Sequence, residues 1–151
     1  MKLMIALGIL LAQAPAQVPA QVSTQATCAF TAPTGWNQAA TRWDGACKAG
    51  HAEGLGVLKE YQQQKVVRFF FGRLEHGEPK LGVLDQAEGF SAGQFAKGAP
   101  LPSDDRQRMI DAFAEAEKAA NEAASRFSKA GKQASAKFYA DKAKALREQL
   151  D

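Results

Sequence analysis

The sequence predicts an α+β chain, an antiparallel meander of short β-hairpins followed by a C-terminal helical hairpin. Three observations carry that expectation. Glycines recur at a fixed step between positions 45 and 98, and the segment from Ser103 onward is rich in Ala, Lys and Glu with one glycine, Gly131. Between them, Gly98-Ala-Pro-Leu-Pro102 carries two prolines, which block continuation of either a ladder or a helix. The organisation expected is therefore 1–20 signal peptide, 21–35 leader, 36–98 β-repeat module, 99–102 linker and 103–151 helical hairpin.

At the N-terminus, Lys2 precedes the apolar run Leu3 to Leu11, which Ala12 extends before the chain turns to Gln, Ala and Pro. That order is the n-, h- and c-region of an export signal, with cleavage expected after Ala16 or Ala20. About ten residues of helix reach roughly 15 Å against a bilayer core of roughly 30 Å, so the segment is too short for a permanent span. A periplasmic or secreted protein is expected. Gln17 to Thr27 has no period and is expected to be a disordered leader.

Cys28 and Cys47 are the two cysteines of the chain. In an exported protein an even count favours one disulfide, worth about 3 kcal/mol. Lipid attachment at Cys28 is less well supported, because Gln25-Ala26-Thr27 lacks the usual Leu and small-residue pattern. Two cysteines alone would half-fill a tetrahedral metal site.

Within the first module Gly45 and Gly50, Gly72 and Gly77, and Gly93 and Gly98 are each spaced alike. One copy runs from Trp43 through Gly45 and Gly50 to Gly54-Leu-Gly56-Val-Leu58; a second from Phe71-Gly72 through Gly77 to Leu81-Gly82-Val-Leu84; a shortened third from Phe90 through Gly93 to Gly98. An aromatic, a turn glycine and then Gly-Val-Leu describe two short strands joined by a tight turn, with Trp43, Phe71 and Phe90 expected to organise the sheet. Units of about 20 to 27 residues must stack on their neighbours to bury a face. Val66 to Phe71 does not alternate, so cover is expected on both faces of that strand, from the C-terminal helices or from a second copy in a homodimer.

At these residues the chain resembles the MORN repeat family, whose units follow an aromatic-x-Gly, turn glycine, Gly-x-Gly pattern. The first copy is nearest; the second keeps only Leu81-Gly82, and Gln62-Gln63-Gln64 stands where a turn glycine is usual. The resemblance implies an interaction or membrane-apposing role and brings no catalytic residues.

Ser103 is the expected N-cap of the first helix, with Asp104 and Asp105 in its first turn. Met109, Phe113, Ala116, Ala120, Ala123, Phe127 and Ala130 form one apolar seam, and Ala136, Ala140, Ala143, Leu146 and Leu150 a second in another phase. The break falls at Gly131, read as the left-handed stop between two antiparallel helices, with a single bent helix as the alternative. Ala124, Phe127, Gly131, Ala136, Tyr139 and Ala143 are also similar to one tetratricopeptide unit, which implies the hairpin geometry and nothing about binding.

No motif for catalysis, metal or cofactor stands out. Gly89-Phe-Ser-Ala-Gly93 matches the esterase elbow, but His51 and His76 both precede Ser91 and a hairpin occupies the segment. Gly54-Leu-Gly56 lacks the third glycine of a dinucleotide site. Carboxylate pairs such as Glu75 with Glu78, or Glu115 with Glu117, have no apolar pocket to separate their acidities. A formal net charge of +3 and aromatics assigned to the core do not indicate nucleic acid.

Charge is segregated along the helices: 103–122 carries six acids and three bases, 123–151 seven bases and three acids. Antiparallel packing would neutralise these faces. Otherwise Lys129, Lys132, Lys137, Lys142 and Lys144 would present a basic face to an acidic partner or anionic lipid. The leading expectation is an exported, non-catalytic interaction or scaffold module with an envelope or extracellular protein as partner. The alternative is a binder of anionic membrane or envelope polymer through the basic helix.

Overall fold

The computed structural model describes residues 28–151, so the expected signal peptide and residues 21–27 of the expected leader lie outside the described residues. Six strands run in sequence order as one antiparallel meander: β1 (Thr41–Lys48), β2 (His51–Gln62), β3 (Lys65–Glu75), β4 (Glu78–Gln86), β5 (Gly89–Ala96) and the short β6 (Ala99–Pro100). Two helices come next, α1 (Arg106–Lys129) and α2 (Gln133–Arg147). This is the expected α+β architecture.

The repeat becomes geometry in the strand register. Gly45 pairs with Gly56, Gly56 with Gly72, Gly72 with Gly82 and Gly82 with Gly93, so one row of glycines crosses five strands. Aromatic rings lie over that row. A Cβ at Gly56 would collide with the Trp43 ring, and one at Gly82 would stand 2.8 Å from the ring of Phe70. The sequence pointed to Phe71 and Phe90 as partners of Trp43, but the ring on the glycines is that of Phe70. Side chains alternate along a strand, and Phe71, one residue on, faces the opposite side.

Two cores result. On one face Val57, Phe71 and Val83 form a row against Phe113, Ala116, Ala120 and Ala123 of α1 and Tyr139, Ala143 and Leu146 of α2. The buried alanines let α1 lie close across the sheet. On the other face Leu58, Phe70, Leu74, Leu84 and Phe95 pack beneath Ala32 and Trp36. Both sides of β3 are therefore covered, as its sequence required.

The cover of the second face is a strap, residues 29–36, that runs across the hairpin ends. Ala49-Gly50, His76-Gly77 and Lys97-Gly98 all have left-handed backbone at both positions, the pattern of a type I′ turn. The amides of Ala29, Thr31 and Thr34 donate in turn to the carbonyls of Gly50, Gly77 and Gly98, each at 2.8 Å. The disulfide between Cys28 and Cys47 ties the start of the strap to β1. At its other end Glu60, 3% exposed, is paired with Arg68, whose guanidinium stacks on Trp36 and donates to the carbonyl of Gly35.

Helix boundaries depart from expectation in two places. Asp105, rather than Ser103, caps α1 by accepting from the amide of Gln107; Ser103 accepts from Asp105 one turn earlier. Ala99 and Pro100 belong to the sheet as β6, so the expected linker begins as the end of the third hairpin. Pro100 fits there because an edge strand spares its missing donor. Gly131 is the expected stop: its φ is +75°, its amide donates to Ser128, and that of Lys132 donates to Phe127, a Schellman end. In the second seam Tyr139 is buried and Ala140 exposed.

Adding a methyl at Gly82 drives it into the Phe71 carbonyl oxygen, the Phe70 ring and the Gly72 backbone, so Gly82→Ala is expected to cost about 3 kcal/mol in chemical denaturation. Gly131→Ala meets no neighbouring atom and is expected to cost only about 1 kcal/mol, from its left-handed backbone. Equal costs would refute a structural role for the glycine row. Arg68→Ala, which leaves Glu60 buried and unpaired, is expected to cost about 3 kcal/mol by the same measurement.

Candidate functional site

Where the helical hairpin stops short of the far end of β2 and β3, a groove of about 910 Å³ opens between the sheet and the start of α2. A volume of that order accommodates a small molecule or a stretch of peptide. Its sheet wall is Lys59, Tyr61, Lys65, Val66 and Phe69. The helical wall is Phe127 at the end of α1 with Lys132, Ser135, Phe138, Tyr139 and Lys142.

Local structure explains how these residues converge. Gln63 and Gln64 are both left-handed and close the β2–β3 hairpin without the usual glycine. Just before the turn the pairing steps from Glu60–Arg68 to Tyr61–Val66, leaving Val67 as a bulged residue. A bulge re-aims the side chains beyond it, and here Lys65 and Val66 line the groove. On the other wall, the reversal at Gly131 places Lys132 and the first turn of α2 opposite them.

The floor is aromatic. Phe127 and Tyr139 stack with centroids 5.3 Å apart and planes 2° from parallel, while Phe69 and Phe138 meet Tyr139 at 6.4 and 5.1 Å. Lysines sit on these faces: Lys59 at 5.7 Å from the Phe127 centroid, Lys132 at 6.0 Å from the same ring, and Lys142 at 5.7 Å from Phe69. Such placements are worth about 0.5–2 kcal/mol each, more as water is excluded.

Two of the four ammonium groups have acids beside them. Lys142 pairs with Asp85 at 2.6 Å, and Lys59 lies 3.8 Å from Asp44, which Arg126 also holds at 3.1 Å. Lys65 and Lys132 have no carboxylate within salt-bridge distance among the described residues. Burial pushes the Lys59 amine below the ordinary lysine value, with Arg126 and Lys132 adding repulsion and Asp44 opposing it. Burial likewise raises the Tyr139 phenol well above its ordinary value, helped by Asp44.

Of the five lysines expected to form a basic helix face, the structure brings Lys132 and Lys142 to the groove. Lys137 pairs with Asp141, Lys144 with Glu148, and Lys129 stands exposed at the end of α1. Helix charges are neutralised across the fold as well, Arg73 by Glu115 and Arg147 by Glu117. Lys59, Lys65, Tyr61 and Phe69 were missed by sequence reasoning. The only trace of them was the run of lysines and aromatics on either side of the Gln62-Gln63-Gln64 turn.

Ser91 is exposed in the interior of β5, not at a strand-to-helix elbow. It pairs with Leu84, six residues of β4 and therefore about 20 Å from the turn that carries His76. Among the described residues no group of three or more His, Cys, Asp or Glu gathers to hold a metal ion, and no helix is long and apolar enough to cross a membrane. No family model, curated protein or solved structure matches the chain.

A phenol whose folded value is raised stabilises the fold below pH about 10 and loses that contribution as pH climbs through the folded value. Tyr139→Phe is expected to remove the late rise of phenolate absorbance in an alkaline titration and the matching fall in stability. A late phase that survives the substitution would place the buried phenol elsewhere.

Proposed function

We propose that this chain is an exported, non-catalytic protein-interaction module of the MORN-like type, and that its partner docks in the groove between the β2–β3 hairpin and α2. One observation carries the reading: an open aromatic floor, with Phe138 42% exposed, is flanked by Lys65 and Lys132, neither of which has an acid beside it among the described residues. Soluble surfaces seldom leave apolar and like-charged groups together in a concavity without a ligand to cover them. The remainder of the fold is a rigid support, with strap, sheet and helices packed on two cores.

Export is supported by the Lys2 and Leu3–Leu11 pattern and by the joined pair Cys28 and Cys47, since disulfides persist in oxidising compartments. A non-catalytic role is supported by the setting of Ser91, His51 and His76, which the fold distributes over β5, the start of β2 and the β3–β4 turn. Flat binding to an anionic surface by the basic helix has less support, because Lys137, Lys142 and Lys144 are already engaged with acids, and of the other two Lys132 lines the groove, leaving Lys129 on the open surface.

A photo-crosslinking residue placed at Phe138 is expected to capture a protein partner in the native envelope, whereas one at Met109, at the opposite end of the helical hairpin, captures none. Lys65→Glu combined with Lys132→Glu abolishes the capture; Lys137→Glu with Lys144→Glu retains it. Capture that is indifferent to both pairs, or equal from Met109, contradicts the docking site.

A further inference from the structure

The chemistry of the groove walls specifies more than a place to dock. We infer that the groove takes an extended, acidic peptide segment of the partner, with a bulky apolar side chain set among its carboxylates; this rests on the groove being the docking surface.

Charge gives the first requirement. Lys142 and Lys59 already have Asp85 and Asp44 beside them, Asp44 being shared with Arg126, so a ligand carboxylate there would compete with a protein acid. Lys65 and Lys132 stand on opposite walls, one on the hairpin and one at the head of α2, without a carboxylate among the described residues. A ligand that satisfies both must bear acids spaced along its length, one for each wall. Both lysines are exposed, so each can meet a carboxylate at small desolvation cost.

The floor gives the second requirement. Phe138 presents an exposed ring edge-on to Tyr139 and tilted against Phe69, at 5.1 and 5.6 Å, and the three together leave an apolar seat rather than a closed core. An aromatic or branched aliphatic side chain fills it and gains the usual burial and edge-to-face contacts. An acidic polysaccharide would match the charge, but its hydroxyls need amide and carboxylate partners, and no Asn, Gln, Asp or Glu lines the groove. A lipid bilayer presents a plane, which reaches the rim of a concavity and leaves its floor untouched. A peptide strand is thin enough to enter and carries both kinds of side chain.

The test uses the full oxidised chain and the fluorescently labelled peptide Gly-Glu-Glu-Phe-Glu-Glu-Gly in an anisotropy titration at low ionic strength. Expected is saturable binding that weakens at least about tenfold in Lys65→Gln combined with Lys132→Gln, and by a similar factor when Gln replaces Glu in the peptide. Replacing the peptide Phe by Ser weakens it several-fold. Unchanged thermal unfolding of the double variant shows that the loss is not one of folding. Undiminished binding by the variant, undiminished binding of the Gln peptide, or tight binding to phosphatidylglycerol vesicles that the peptide does not displace would overturn the inference. If the peptide fails to bind while the crosslink from Phe138 still captures its partner, the acidic-peptide inference falls and the docking site stands; failure of both removes both.

Discussion

The structure depends on one row of residues with no side chain. Because Gly45, Gly56, Gly72, Gly82 and Gly93 are in register across five strands, the rings of Trp43 and Phe70 can lie on the sheet instead of standing up from it. A flat ring makes a thin layer. That thinness lets an irregular strap of eight residues, 29–36, serve as the whole cover of the second face, where an ordinary core would need a second sheet or a helix. The strap finds hydrogen-bond partners because the turns at Gly50, Gly77 and Gly98 repeat at the same edge and point their carbonyls the same way. Repetition in the sequence thus supplies both the surface and the fastening.

With one face closed by so little chain, the other is free to hold the helices. The rows on either side of the glycines alternate between faces, so Val57, Phe71 and Val83 project together toward α1 and α2. Alanines on α1 bring its backbone near the sheet, and the Schellman end at Gly131 returns α2 along it. The strands are longer than the helical layer is wide at the hairpin end. Beyond that margin the aromatic stack of Phe69, Phe127 and Tyr139 is flanked by Phe138 and by lysine side chains, whose stems cover apolar surface. The groove is a consequence of how far the helices reach, and its charge a consequence of which lysines the acids Asp44 and Asp85 reach first.

Much of this was legible in the sequence. The glycine step gave the meander, its hairpins and the turns at Gly50, Gly77 and Gly98; Gly131 and the change of seam gave the helical hairpin; Cys28 and Cys47 gave the bridge. What stayed hidden depends on position across the chain rather than along it. Two adjacent phenylalanines, Phe70 and Phe71, look alike in sequence, and only the register decides which one meets the glycines. The strap has no period because it forms no ladder of its own; its partners are turns 21, 46 and 64 residues away. Lys59 and Lys65 belong to no motif, and only the fold lays them against Lys132 and Lys142, 67 or more residues later. Ser103 and Asp105 are both good caps, and the choice fell to Asp105 because Ser103 is used in a turn just before it.

The most direct measurement is residue-resolved native hydrogen exchange in Phe70→Leu, which removes the ring from Gly72 and Gly82 on the face away from the helices. If the glycine row and its rings hold the whole fold, protection falls by a similar factor at Val57, Phe71 and Val83 in the strands and at Ala120 and Ala123 in α1. If the loss stays within the strap and the second face, and the helices keep their full protection, the row is a local feature and does not hold the fold together.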